Sequence, residues 1–329
     1  APAARTAEGT LARLTDQQFR NCIDDLFGVG LALPSQLEDI DEVDGLSAVG
    51  AAVATVSPLG AERFEHAAYQ VAEQVVDDPV RLEKWLNCTP EDEGDRVCFG
   101  DILAGIATQA WRRPAAESEV ERLADIAVEA ASSLGRIQDG LLFGLATVLN
   151  SPHFLYRPEV GNGKQLDAHS LASKLSFFLW DTMPDAELFA KAQTGELLQE
   201  SELESQVERM MADPRFILGL RAFFTDLYDF DQLEDMSKDP LIYKHMSAEL
   251  PAAAREESLA VLEDLVVDRD ADFREIFTTS KTWIDRRLAA IYDVQAPNME
   301  GFGWATLPRE SGRRGLLGHA SVLALHAHA

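Results

Sequence analysis

Positive charge is scarce in this chain: 29 Lys and Arg stand against 56 Asp and Glu in 329 residues, a formal net charge of -27. Such a surface repels phosphate backbones and anionic lipid headgroups, which excludes nucleic acid as a natural partner. Long apolar runs are absent too. A bilayer-spanning helix needs about 20 consecutive apolar residues, and no such run occurs, so no membrane span is expected. No Cys-x-x-Cys-His occurs, which excludes covalent c-type haem in this chain. Gly-x-Ser-x-Gly, His-Glu-x-x-His and a phosphate-cradling glycine loop are missing as well, so serine-hydrolase, zinc-protease and P-loop readings lack their minimal signatures.

Cysteine is limited to Cys22, Cys88 and Cys98. The last two flank an acidic turn whose Pro90 and Gly94 let the chain double back and bring the thiols together. A disulfide closing this loop is expected, and with it an oxidising compartment. Cys22 lies in the amphipathic run Phe19 to Phe27 and reads as a small buried thiol. The chain opens on Ala1-Pro2-Ala3-Ala4, as expected where a signal segment has been removed or the chain trimmed. The expected location is extracytoplasmic: periplasmic, cell-surface or secreted.

What dominates is helical periodicity. Val120, Leu123, Ile126, Ala127, Ala130 and Leu134 step by three and four, and similar stripes run through 64–76, 102–111, 171–180, 203–211, 216–228 and 259–267. Strand-like alternation is scarce and is expected mostly after Trp283. The fold class is therefore all-α, a multi-helix orthogonal bundle of two closely packed helical halves with little strand. The stretch 31–60, rich in Gly, Pro and Asp, reads as a long functional or connecting loop. A second break, Arg157 to Lys164, places the division between an N-terminal domain with the disulfide loop, 1–160, and a C-terminal domain, 161–329.

Several blocks carry a likeness: Arg13-Leu-Thr-Asp-Gln-Gln-Phe-Arg-Asn21, Trp111-Arg-Arg-Pro114, Leu149 to Glu159, Leu171 to Asp185, Arg209 to Arg215, and Arg314 to Leu323. In this order they resemble the secreted domain-of-unknown-function proteins associated with planctomycete-type cytochrome c proteins. The resemblance implies export, a setting near redox proteins, and continuation beyond Ala329 into a further segment. On that view the C-terminal domain is incomplete without a downstream piece. The apolar end, Arg314 to His326, should then be covered by packing, with processing near Ala329 and truncation of the chain as alternative explanations.

Two constellations are candidate sites. His319, His326 and His328 form a cluster in which His326 and His328, on an extended segment, would point to one side and with His319 complete a three-nitrogen site for copper or zinc. Local packing of these histidines is the alternative. His153, Tyr156, Arg157 and Glu159 could orient a polar substrate, although Arg157 and Glu159 equally suit an ion pair pinning the turn. The acidic runs 226–235 and 268–272 lack the glycine and distal glutamate of an EF-hand loop and read first as solvated helix ends.

Two functional classes follow. One is an exported acidic subunit acting as an assembly or binding component in an extracytoplasmic, redox-linked complex, its partner either the C-terminal remainder of its own precursor as a second chain or a redox protein. The other is an extracytoplasmic metal-dependent oxidoreductase using the C-terminal histidines.

Overall fold

The computed structural model describes residues 11–161, 165–234, 236–239 and 241–326. Helices dominate, and among the described residues strand is confined to two small antiparallel two-stranded sheets. One of these pairs residues 11–13 with 156–158, well before Trp283. Among the described residues no helix is long and apolar enough to cross a membrane. The chain packs as two compact units that meet in sequence at Gly219–Leu220.

The N-terminal unit opens with β1 (Leu11–Arg13), paired with β2 (Tyr156–Pro158), and α1 (Asp16–Phe27). Thr15 and Gln18 form a reciprocal capping box at the start of α1, satisfying donors that the first turn leaves open. Its apolar residues Phe19, Cys22, Ile23, Leu26 and Phe27 recur at helical spacing and are buried. Next come α2 (Pro58–Asp77), α3 (Arg96–Ala110), α4 (Glu117–Leu134) and α5 (Ile137–Leu149), which pack on one another around one core. On α4 the buried stripe is Leu123, Ala124, Ala127 and Ala131, whereas Leu134 is exposed. The small residues allow close approach: a Cβ on Gly140 of α5 would sit 2.7 Å from the Ala127 carbonyl oxygen on α4.

The stretch 31–60 is ordered by cations that reach backbone carbonyls. Arg13, 1 % exposed, pairs with Glu38 and donates to the carbonyls of Glu38, Asp39 and Thr55. Arg63 donates to the carbonyl of Leu37, and Gln74 brackets Ala32 from both sides. Buried carbonyls outside regular structure require such donors. Arg112 does the same at the end of α3. Its backbone is left-handed (φ 59°), and its guanidinium donates to the carbonyls of Ala110, His153, Phe154 and Tyr156. Burial draws its pKa down to about 10, so it stays cationic at neutral pH.

The unit continues through α6 (Ala168–Trp180), α7 (Ala186–Thr194), α8 (Glu200–Met211) and the start of α9 (Arg215–Leu227). Trp180 is buried and donates to the Met210 carbonyl (2.9 Å), while Arg209 and Arg215 lie against its ring and both bind Asp185. The break at 157–164 does not separate packing units. Gln18 donates to the Asp181 carboxylate (2.7 Å), Asn21 to the Asp181 carbonyl (2.9 Å), and Thr182 to Asp25 (2.6 Å), which ties the segment after the break back onto α1.

The C-terminal unit is built on α10 (Leu250–Glu263), with β3 (Lys281–Ile284) antiparallel to β4 (Gly303–Thr306), α11 (Arg286–Tyr292) and α12 (Ala320–His326). One core gathers Phe224, Phe230, Leu262, Leu265 and Leu316, and another Ala254, Ile284, Leu288, Tyr292 and Ala320. Trp283 and Trp304 face each other across the strand pair, ring centroids 5.0 Å apart.

Cys88 and Cys98 form a disulfide, Cα atoms 5.8 Å apart, fastening the acidic turn to the first turn of α3. Closing so short a loop stabilises by about 3 kcal/mol in the chain-entropy description. Cys22 is free and buried, and burial pushes its thiol up to about 12. Native protein should therefore react with no thiol reagent, denatured unreduced protein with one equivalent and reduced protein with three. Three equivalents before reduction would remove the disulfide. Arg112→Met leaves four carbonyls without their donor and should cost about 3 kcal/mol or more in denaturant unfolding. A loss under about 1 kcal/mol would show that water replaces it.

Candidate functional site

Helix α10 places a carboxylate inside an apolar stripe. Ala253, Ala254, Glu257, Ser258 and Val261 share its buried face, and Glu257 is 0 % exposed. Two elements satisfy it. Thr282 of β3 donates to one carboxyl oxygen (2.5 Å), and Tyr292 at the end of α11 donates to the other (2.6 Å). The Tyr292 hydroxyl in turn accepts the Ala320 N–H (2.7 Å), one of the donors that the first turn of α12 would otherwise leave open. His319, just before α12, directs Nδ1 to Ser258 Oγ (3.0 Å) and Nε2 toward Glu257 at 4.0 Å, and Ser258 also meets Ser321 (2.6 Å).

Burial acts oppositely on the two titratable partners. It raises Glu257 to about 7, against the lowering effects of Thr282, Tyr292, the Ala320 N–H and the Arg313 charge. It lowers His319 to about 4, so the imidazole is neutral at physiological pH. The cluster has the residue types of acid–base chemistry, but all six side chains are buried.

An open cavity of about 500 Å³ lies beside this cluster. It is lined by Leu250 and Ala254 of α10, Ile291 of α11, and Ala320 and Leu323 of α12, together with Met236, Lys238 and residues 242–246. Arg313 belongs to both places: it lines the cavity and its guanidinium lies 5.0 Å from the Tyr292 ring centroid. Ala254 and Ala320, which line the cavity, share one core with Tyr292 of the cluster.

The expected histidine site is not assembled by the described residues. His319 is buried against Ser258, His326 is exposed at the far end of α12, and His328 lies outside the described residues. Of the segment expected to be extended, His326 ends a helix and 327–328 lie outside the described residues; that helix sets His319 and His326 almost two turns apart. No group of three or more His, Cys, Asp or Glu able to hold a metal occurs among the described residues. His153, Tyr156, Arg157 and Glu159 lie close in sequence but have separate partners. His153 lies tilted against Trp111 and meets Glu119 (3.2 Å); Tyr156 contributes its carbonyl to Arg112; Arg157 lies over the Phe177 ring (4.5 Å); Glu159 pairs with Lys174 (2.9 Å). Reasoning from sequence missed Glu257, Ser258, Thr282, Tyr292 and Arg313; the available signal was a carboxylate at helical spacing within the apolar face of α10.

Three family models match the chain in succession. Residues 12–77 match PSD3, a protein of unknown function (DUF1587); residues 98–159 match PSD5 (DUF1595); and residues 166–294 match PSD4 (DUF1592). These domains are of the planctomycete-type cytochrome c associated kind. No curated protein and no solved structure matches. The DUF1592 segment contains Glu257, Ser258, Thr282 and Tyr292, whereas Arg313, His319 and Ser321 lie beyond it.

The buried pair produces opposing pH dependences. Glu257, raised in the folded state, contributes stability that is present below its ordinary 4.5 and is lost as pH rises through about 7. His319, lowered when folded, contributes stability that is present above its ordinary 6.5 and is lost as pH falls through about 4. Between those limits the slopes largely cancel. Glu257→Gln should unmask the histidine: relative to wild type, the variant should gain roughly 3 kcal/mol in unfolding free energy between pH 4.5 and 7.5. Parallel pH profiles would show that Glu257 titrates normally.

Proposed function

We propose that this chain is an extracytoplasmic binding component of a redox-linked assembly, and that the cavity of the C-terminal unit is where it binds. The observation that carries this reading is the composition of the cavity wall. In a chain with nearly two carboxylates per cation, its described lining includes Lys238, Lys244, His245 and Arg313 and no Asp or Glu, the remainder being mostly apolar. Concave, largely apolar sites with a few convergent polar groups are the usual form of a ligand site. The disulfide supports an oxidising compartment, and the kind of domain matched supports a redox setting. The proposed boundary at 160/161 falls between the DUF1595 and DUF1592 segments, which supports reading 1–160 and 161–329 as successive domains even though packing divides later.

An environment-sensitive anionic dye, anilinonaphthalene sulfonate, tests the site. Native protein should enhance its fluorescence saturably, with about one dye per chain. Ala324→Trp, which fills the cavity, and Ile242→Asp, on its exposed rim, should each abolish the effect while leaving the helical circular dichroism unchanged. Absence of saturable binding in the wild type, or binding undiminished in both variants, would remove the cavity as a site.

A further inference from the structure

The cavity's two wall chemistries are arranged for an amphiphile. Leu233, Leu250, Ile291 and Leu323 offer aliphatic surface, and Met236 and Met246 add flexible, polarizable side chains that adapt to an irregular apolar body. Against this stand the cations. Arg313 is partly ordered before any ligand arrives: one terminal nitrogen donates to the Gly318 carbonyl (3.0 Å) and its guanidinium lies over the Tyr292 ring. Among the described residues neither Arg313 nor Lys244 is ion-paired, although most arginines of the chain have a carboxylate, as in Arg113–Glu119, Arg209–Asp185 and Arg221–Glu263. A guanidinium with free N–H groups beside apolar side chains, and a lysine in the same lining, complement a planar oxyanion attached to hydrocarbon.

We propose that the occupant is a small molecule with an apolar body and a single anionic head, its head held by Arg313 and Lys244. This rests on the reading of the cavity as the binding site and adds the chemistry of what enters it. A protein interface of ordinary stability covers some 1,200–2,000 Å² in total, whereas a cavity of about 500 Å³ falls in the small-molecule range. The scarcity of cations elsewhere makes the site selective: the acidic surface repels anions generally, and a recess lined by Arg313 and Lys244 admits them.

Calorimetric titration of the full chain with decanoate, decanol and decyltrimethylammonium, each below its aggregation concentration, tests the proposal. Decanoate should bind at least tenfold more tightly than decanol, and decyltrimethylammonium more weakly than either. Arg313→Met and Lys244→Met should each weaken decanoate at least fivefold and leave decanol unchanged, whereas Ala324→Trp should weaken both. Lys244 is exposed, so its substitution keeps the test decisive even if Arg313→Met disturbs folding. Equal affinities for decanoate and decanol would overturn the anionic head while leaving the cavity as a binding site. Decanoate binding insensitive to all three substitutions would place it elsewhere and overturn the proposal. So would dye binding without decanoate binding. Tight binding of an acidic, leucine-rich peptide where decanoate fails would overturn it in favour of a protein segment. Failure of the dye itself would bring down the underlying reading.

Discussion

The guanidinium of Arg112 holds the N-terminal unit together. It fastens the end of α3 to the segment that carries the chain from α5 into β2, and β2 in turn pairs with β1. A mostly helical protein leaves carbonyls without partners wherever a helix stops, and those that are buried need donors. Arg13 serves the long stretch before α2 in the same way. In a chain with 29 cations against 56 carboxylates, assigning buried arginines to backbone carbonyls leaves fewer to pair with surface carboxylates. The same shortage gives the C-terminal cavity its significance, because there cations gather with no carboxylate in the described lining.

The helices were legible because their apolar stripes are long and regular, and the disulfide because Pro90 and Gly94 sit within a short span between two cysteines. The blocks that carry the family likeness turn out to hold the pins: Arg13, Gln18 and Asn21 in the first, Arg112 in the second, Asp181 and Asp185 in the fourth, and Arg209 and Arg215 in the fifth. Local pattern could not show that Asp181 reaches back some 160 residues to α1, and so could not show where packing divides the chain. Punctuation marks where the backbone turns, not which side chains meet.

The candidate site was illegible for a related reason. Glu257, Thr282, Tyr292 and His319 come from four separate places in sequence, and each alone is unremarkable. The C-terminal histidines attracted notice because they are close in sequence, yet a helix there places one in the core and another in solvent. What joins the dispersed residues is the cost of burying a carboxylate, met by two hydroxyl donors and by a raised pKa. Because Tyr292 serves both Glu257 and the first turn of α12, the charge state of the core and the seating of a cavity wall share one hydroxyl group.

The facing indoles of Trp283 and Trp304 have an optical consequence. Coupling between transition dipoles falls with the cube of their separation, and two rings 5.0 Å apart are close enough for their excited states to mix. The remaining tryptophans, Trp85, Trp111 and Trp180, lie in the N-terminal unit. The C-terminal unit therefore carries a chiroptical label of its own, one that vanishes when its strand pair opens and that lets the melting of one unit be followed independently of the other.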